Sequence, residues 1–79
     1  MTRTEILDII KESIVEETPL EDSSVITEHT TANQVPGWDS LAHVRIMLNI
    51  EMETDIEVPI EMTYKTKNIG ELVTLFEAA

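Results

Sequence analysis

Twenty residues from Pro19 to Trp38 follow neither a helical nor a strand period, and they separate two segments that are plainly helical in pattern. Thr, Ser, Asn and Pro dominate this stretch, with Leu20, Val25, Ile26 and Val35 spaced as anchors into a core. Irregular connections of this length are uncommon in compact domains and tend to be functional. The anchors argue against a free linker, because their apolar side chains need somewhere to go. Pro36-Gly37 marks the turn that closes the loop. In a chain of 79 residues, such a loop leaves room for one domain, expected to span residues 1–79. A domain this size buries only about 60% of its unfolded surface, so its core is small. It has no cysteine with which to staple that core, which suits a reducing compartment.

On either side of the loop the period is helical. Thr2 and Glu5 have capping-box spacing, and Ile6, Leu7, Ile10 and Ile14 recur behind them, widened by Ile9 and Val15. That helix is expected to stop near Glu17-Thr18, since Pro19 disfavours helical geometry in the residue before it. Asp39, a good N-cap, opens a second helix ending near Thr54. Projection at 3.6 residues per turn places Ile46, Met47, Ile50 and Thr54 on one side, with His43 at its edge. Leu41, Val44, Leu48 and Met52 fall on the other side, with Arg45 among them. A helix apolar on two sides in so small a domain buries one and offers the other to a partner. Ile56-Glu57-Val58-Pro59 reads as an extended connector, and Ile60 to Tyr64 as one or two helical turns. Asn68 and Glu71 then cap a last helix carrying Ile69, Leu72, Val73 and Phe76. The expected fold is all-α, with a long first loop and a short third helix.

Sixteen acids against five bases give a formal charge of −11. From Glu12 to Asp39, both included, there are seven acids and no Lys or Arg. Such a chain repels nucleic acid and anionic membranes and favours partners with basic surfaces. No apolar run follows the basic residue near the N-terminus, and no segment approaches the roughly 20 apolar residues of a membrane span. A cytoplasmic, monomeric protein is expected, with neither nucleic acid nor membrane as a partner.

The chemistry concentrates at Ser40. It stands in the first turn of the second helix, where its hydroxyl lies outside the helical bonding pattern. The unpaired amides and positive dipole end of that turn favour a phosphate there. Asp39 opposes this slightly and would push an attached anion outward. Gly37-Trp38-Asp39-Ser40-Leu41 resembles the modification site of acyl and peptidyl carrier proteins. The similarity runs from the first helix through Ile56-Glu57-Val58-Pro59 to Phe76. The resemblance implies a four-helix acyl-carrier-like bundle whose second helix is the main docking surface. It also implies that Ser40 receives 4′-phosphopantetheine from coenzyme A, and that the arm's thiol holds an acyl, polyketide-type or aminoacyl cargo as a thioester. The partners it implies are a phosphopantetheinyl transferase, an acyl- or aminoacyl-activating ligase, and a downstream transferase or synthase.

Two departures from that pattern bear on cargo. Fatty-acid-synthesis carriers usually show acids along the second helix and an aromatic near its end. Here the helix reads Ala42-His43-Val44-Arg45, and Thr54 takes the aromatic's place. Dedicated partners and a specialised cargo are therefore expected, with Asp39, Leu41, Val44, Arg45 and Leu48 as the recognition residues.

Other candidates read as structural. His29 and His43 are isolated, so neither zinc nor catalysis is expected of them. Glu51, Glu53, Asp55 and Glu57 alternate without the glycine and ligand pattern of a calcium loop. No nucleophile has a base at motif spacing, so the chain is expected not to be an enzyme. Trp38 is expected to pack against the loop with partial exposure. The alternative to the carrier is an acidic helical adaptor that binds a partner through Leu41, Val44 and Leu48, with Ser40 merely capping.

Overall fold

A computed structural model describes residues 1–79 as four helices and no strands. They are α1 (Arg3–Glu17), α2 (Ser40–Thr54), α3 (Ile60–Thr63) and α4 (Ile69–Ala78). The ends are set by local chemistry. Thr2 and Glu5 exchange side-chain and backbone hydrogen bonds at the start of α1. Asp39 accepts from the Ala42 amide at 2.9 Å and Asn68 from the Glu71 amide at 2.8 Å. Each bond satisfies a donor that a helix start would otherwise leave unpaired. At the far end of α2, Asp55 adopts the left-handed conformation and its amide bonds the Glu51 carbonyl at 2.8 Å.

α1 packs against both α2 and α4. The core between them holds Ile6, Ile10 and Ile14 of α1, Ile46, Met47 and Ile50 of α2, and Ile69, Leu72, Val73 and Phe76 of α4. Burying an Ile or Phe side chain stabilises by about 1.5–3 kcal/mol. Ser13 is also buried, within the apolar stripe of α1.

The long loop is more ordered than its composition suggests. It contains two short 3₁₀ turns, Ser23–Val25 and Ala32–Gln34. Ile26 and Val35 reach the core and Leu20 packs against it, as expected of anchors. Val25 does not: it lies in the first 3₁₀ turn and is 60% exposed. Asp22 caps that turn through the Ser24 amide, and the geometry hands the inward position to Ile26.

Three contacts fasten the loop. The amides of Ile69 and Gly70, at the start of α4, donate to the carbonyls of Thr30 and Glu28 at 2.9 and 2.8 Å. Arg3 forks onto both Glu28 carboxylate oxygens at 2.6 and 3.1 Å and also reaches Glu77 at 2.6 Å. The third is a close approach at Gly37, whose φ of +78° is in the left-handed region. A Cβ there would collide with Cδ of Pro19. Glycine thus lets the end of the loop fold against its beginning and delivers Trp38 and Asp39 to the start of α2.

Candidate functional site

Ser40 is the first residue of α2 and is exposed. Its hydroxyl makes no hydrogen bond within the protein, and the amides of Ser40 and Leu41 are likewise unpaired. Asp39 spends one carboxylate oxygen on the cap, so the first turn keeps two free N–H donors beside a free hydroxyl. The other serines differ. Ser13 is buried, and the Ser24 hydroxyl is bound to Asp22 at 2.7 Å. Ser23 lies within the short 3₁₀ turn.

The two sides of α2 separate as the projection requires. Ala42, His43, Ile46, Met47 and Ile50 are buried. Leu41, Leu48 and Met52 are 60%, 53% and 78% exposed, and Val44 is open at 36%. Arg45 is exposed among them and forms no ion pair. α3 adds exposed Ile60 and Met62. The five residues expected to recognise partners, Asp39, Leu41, Val44, Arg45 and Leu48, are thus all accessible.

His43 lies deeper than the core edge assigned to it from sequence, and it joins three elements. The Trp38 indole N–H donates to Nδ1 at 3.1 Å, Nε2 lies 2.7 Å from the Thr63 hydroxyl, and the Tyr64 ring stacks on the imidazole at 4.2 Å. The Thr63 hydroxyl gives its own proton to the Ile60 carbonyl at 2.6 Å. It must therefore accept from Nε2–H, which leaves the Nδ1 lone pair for Trp38. This network assigns a neutral imidazole with both nitrogens satisfied. Burial pushes its pKa down, in the same direction. Trp38 packs with partial exposure, as expected, and its partner is His43. Sequence reading missed this cluster because Thr63 lies twenty residues from His43. The available signal was local: a Trp and a His five residues apart, straddling a helix start.

Two neighbouring concavities lie on this side of the molecule, and one of them reaches Ser40. The outer one touches Asp39 and Ser40 themselves. The inner, of about 120 Å³, runs between the second 3₁₀ turn, the α3–α4 connection and α4. They share Ala32, Trp38, His43 and Tyr64 as a common wall. His29 is exposed, away from this wall. No base of the chain is hydrogen-bonded to the Ser40 hydroxyl. No helix is long and apolar enough to cross a membrane. No family model matches the chain, and no solved structure matches it significantly.

Proposed function

We propose that this protein is a non-catalytic carrier that holds its cargo as a thioester on a 4′-phosphopantetheine arm attached to Ser40. The observation that carries the reading is the free, exposed Ser40 hydroxyl in the first turn of α2, beside two unpaired amides. In the attachment step the Ser40 oxygen attacks the phosphorus of coenzyme A that bears the pantetheine. A P–O bond to Ser40 forms, adenosine 3′,5′-bisphosphate leaves, and the hydroxyl proton passes to a base of the transferase. The new phosphodiester then sits at the positive end of the α2 dipole, where its charge is favoured. The exposed Leu41, Val44 and Leu48 give partner enzymes an apolar surface immediately beside the arm.

The cargo in this reading is polyketide-type, aminoacyl or otherwise specialised. The partners are the transferase, an activating ligase and a downstream transferase or synthase. The protein works as a cytoplasmic monomer without nucleic acid or membrane. The same exposed side of α2 also suits the adaptor reading, in which Ser40 stays unmodified. Incubation with coenzyme A and a phosphopantetheinyl transferase separates the two by intact mass: the carrier gains one phosphopantetheine and the adaptor gains nothing.

A further inference from the structure

We propose that His43 is a positioning residue for attachment at Ser40: its neutral ring holds Trp38, and with it the entry of the chain into α2, and it releases that entry when protonated. The inference rests on the carrier reading and adds a control to it. Trp38 precedes the cap residue Asp39, and His43 is the fourth residue of α2. Residues at these two positions are neighbours in space, and an apolar pair there often fixes the angle at which a chain enters its helix. Here the pair is an indole and an imidazole joined by a hydrogen bond of 3.1 Å, so the fastening carries a titratable group.

Ser40 lies inside the span so fastened. The Ala42 amide donates to the Asp39 carboxylate and the His43 amide to the Asp39 carbonyl, each at 2.9 Å. Ser40 adds nothing, since neither its hydroxyl nor its amide is bonded. The Trp38 and Asp39 amides reach only back into the loop, to the carbonyls of Val35 and Gly37 at 3.3 and 3.0 Å. Beyond the cap, the hydrogen bond that ties the end of the loop to α2 is therefore that of the indole N–H.

The two ring nitrogens respond differently to a proton. Thr63 gives its hydroxyl proton to the Ile60 carbonyl at 2.6 Å, so it accepts from Nε2–H in either charge state. Nδ1 accepts only while the ring is neutral. Protonation thus removes the bond to Trp38 and keeps the bond to α3. Among the elements around the ring, α3 contributes Tyr64, the cap Asp39 and the α3–α4 connection Lys67, while the second 3₁₀ turn and α4 present Ala32, Ile69 and Leu72. No carboxylate is hydrogen-bonded to the imidazole. Nothing therefore offsets the burial that holds its pKa below the ordinary histidine value. The bond to Trp38 is intact at neutral pH and is lost on the acid side of that value.

Release should act on turnover rather than docking. Misplacing the attacking oxygen lowers kcat, whereas KM depends on the exposed Leu41, Val44 and Leu48, which His43 does not join.

The test follows attachment by intact mass with coenzyme A and a phosphopantetheinyl transferase. Values of kcat and KM are measured from about pH 7.5 to about pH 5 for wild type, Trp38→Phe and His43→Gln. Ratios taken at each pH cancel the transferase's own titration. Near pH 7.5, Trp38→Phe keeps an aromatic ring without the N–H and should lose about two- to tenfold in kcat at unchanged KM, the range one neutral hydrogen bond supports. That deficit should close as pH falls, because wild type then loses the same bond, while the ratio of the two variants should stay constant. A second readout needs neither variant nor transferase. Trp38 is the only tryptophan, and in wild type its indole N–H resonance and the Ser40 amide should follow the titration of His43 rather than that of exposed His29. A ratio of wild type to Trp38→Phe that is the same at every pH, or an indole resonance that ignores the His43 titration, would overturn the positioning role and leave the carrier reading standing. A wild type that gains no mass at any pH would overturn the carrier reading and the positioning role with it.

Discussion

The Trp38 indole N–H donates to Nδ1 of His43 at 3.1 Å, so the residue that ends the long loop is bonded directly to the buried histidine of α2. The second ring nitrogen is committed to Thr63 of α3. A proton added to Nδ1 would face the indole N–H and eject it. Around the ring, the other titratable or charged groups are Tyr64, stacked on it, and Asp39 and Lys67, which line the adjoining concavities.

This bond makes stability depend on pH in a defined direction. Burial holds the His43 pKa below the ordinary histidine value. As pH falls through about 6.5, the unfolded chain takes up a proton that the folded chain refuses. The stabilisation is therefore complete above that value and is lost as pH drops toward the folded pKa. Urea midpoints measured near pH 7.5 and near pH 5.5 should fall with acid in the wild type, and less in His43→Gln. Parallel behaviour of the two proteins would show the imidazole to be uncoupled from folding.

Arg3 clasps the loop and α4 to the start of α1. Its planar fork meets the Glu28 carboxylate through two nitrogens while a third contact reaches Glu77. Hydrogen bonding to Arg3 lowers the Glu28 pKa. That contribution is present above the usual carboxylate range and is lost as pH falls below it through the lowered Glu28 value. Arg3→Lys should lower the melting temperature, since a single ammonium cannot reproduce the fork. The deficit should shrink in high salt because the groups are partly exposed. A melting temperature equal to wild type at low salt would contradict the clasp.

Ile10, Ile50 and Phe76 come from three helices and are fully buried. Truncation of any one to alanine should cost about 2–5 kcal/mol, enough to unfold a small domain. Thermal melts check this, and unchanged transitions for all three would mean that the core is drawn wrongly.

Much of this architecture was legible because its signals are local. Thr2, Asp39 and Asn68 each cap a helix through a residue three positions ahead, a spacing visible in the sequence. Ile46 and Ile50 could be separated from Leu41 and Leu48 by period alone. Val25 was misread because 3₁₀ geometry, with no apolar repeat to mark it, chose Ile26 for the interior. The Trp38–His43–Thr63 chain and the Arg3 clasp escaped for another reason. Their members are brought together by the fold across the loop, and nothing in their spacing announces it. Ser40 stood out because its position at a helix start is itself a local property.

Arg45 should choose among partners. It is exposed without an ion pair, between Leu41 and Leu48 on the open side of α2. A positive charge there repels a basic docking surface and attracts an acidic one, chiefly through association rate. Arg45→Glu should speed cargo transfer by a generic fatty-acid-synthesis enzyme and slow it with the dedicated partner, with both effects weaker at high salt. Folding should shift by about 0.5 kcal/mol or less. Equal transfer rates for wild type and variant at both salt concentrations would show Arg45 to be a solvated bystander.

The central claim is covalent attachment at Ser40, and intact-mass measurement tests it most directly. Wild type and Ser40→Ala are each incubated with coenzyme A and a phosphopantetheinyl transferase. The variant's fold is checked first by circular dichroism, and removing an exposed hydroxyl that makes no hydrogen bond should leave it intact. The carrier account predicts that wild type gains the mass of one phosphopantetheine and that Ser40→Ala gains none. A wild type that remains unmodified, or a variant still modified at Ser23 or Ser24, would contradict it.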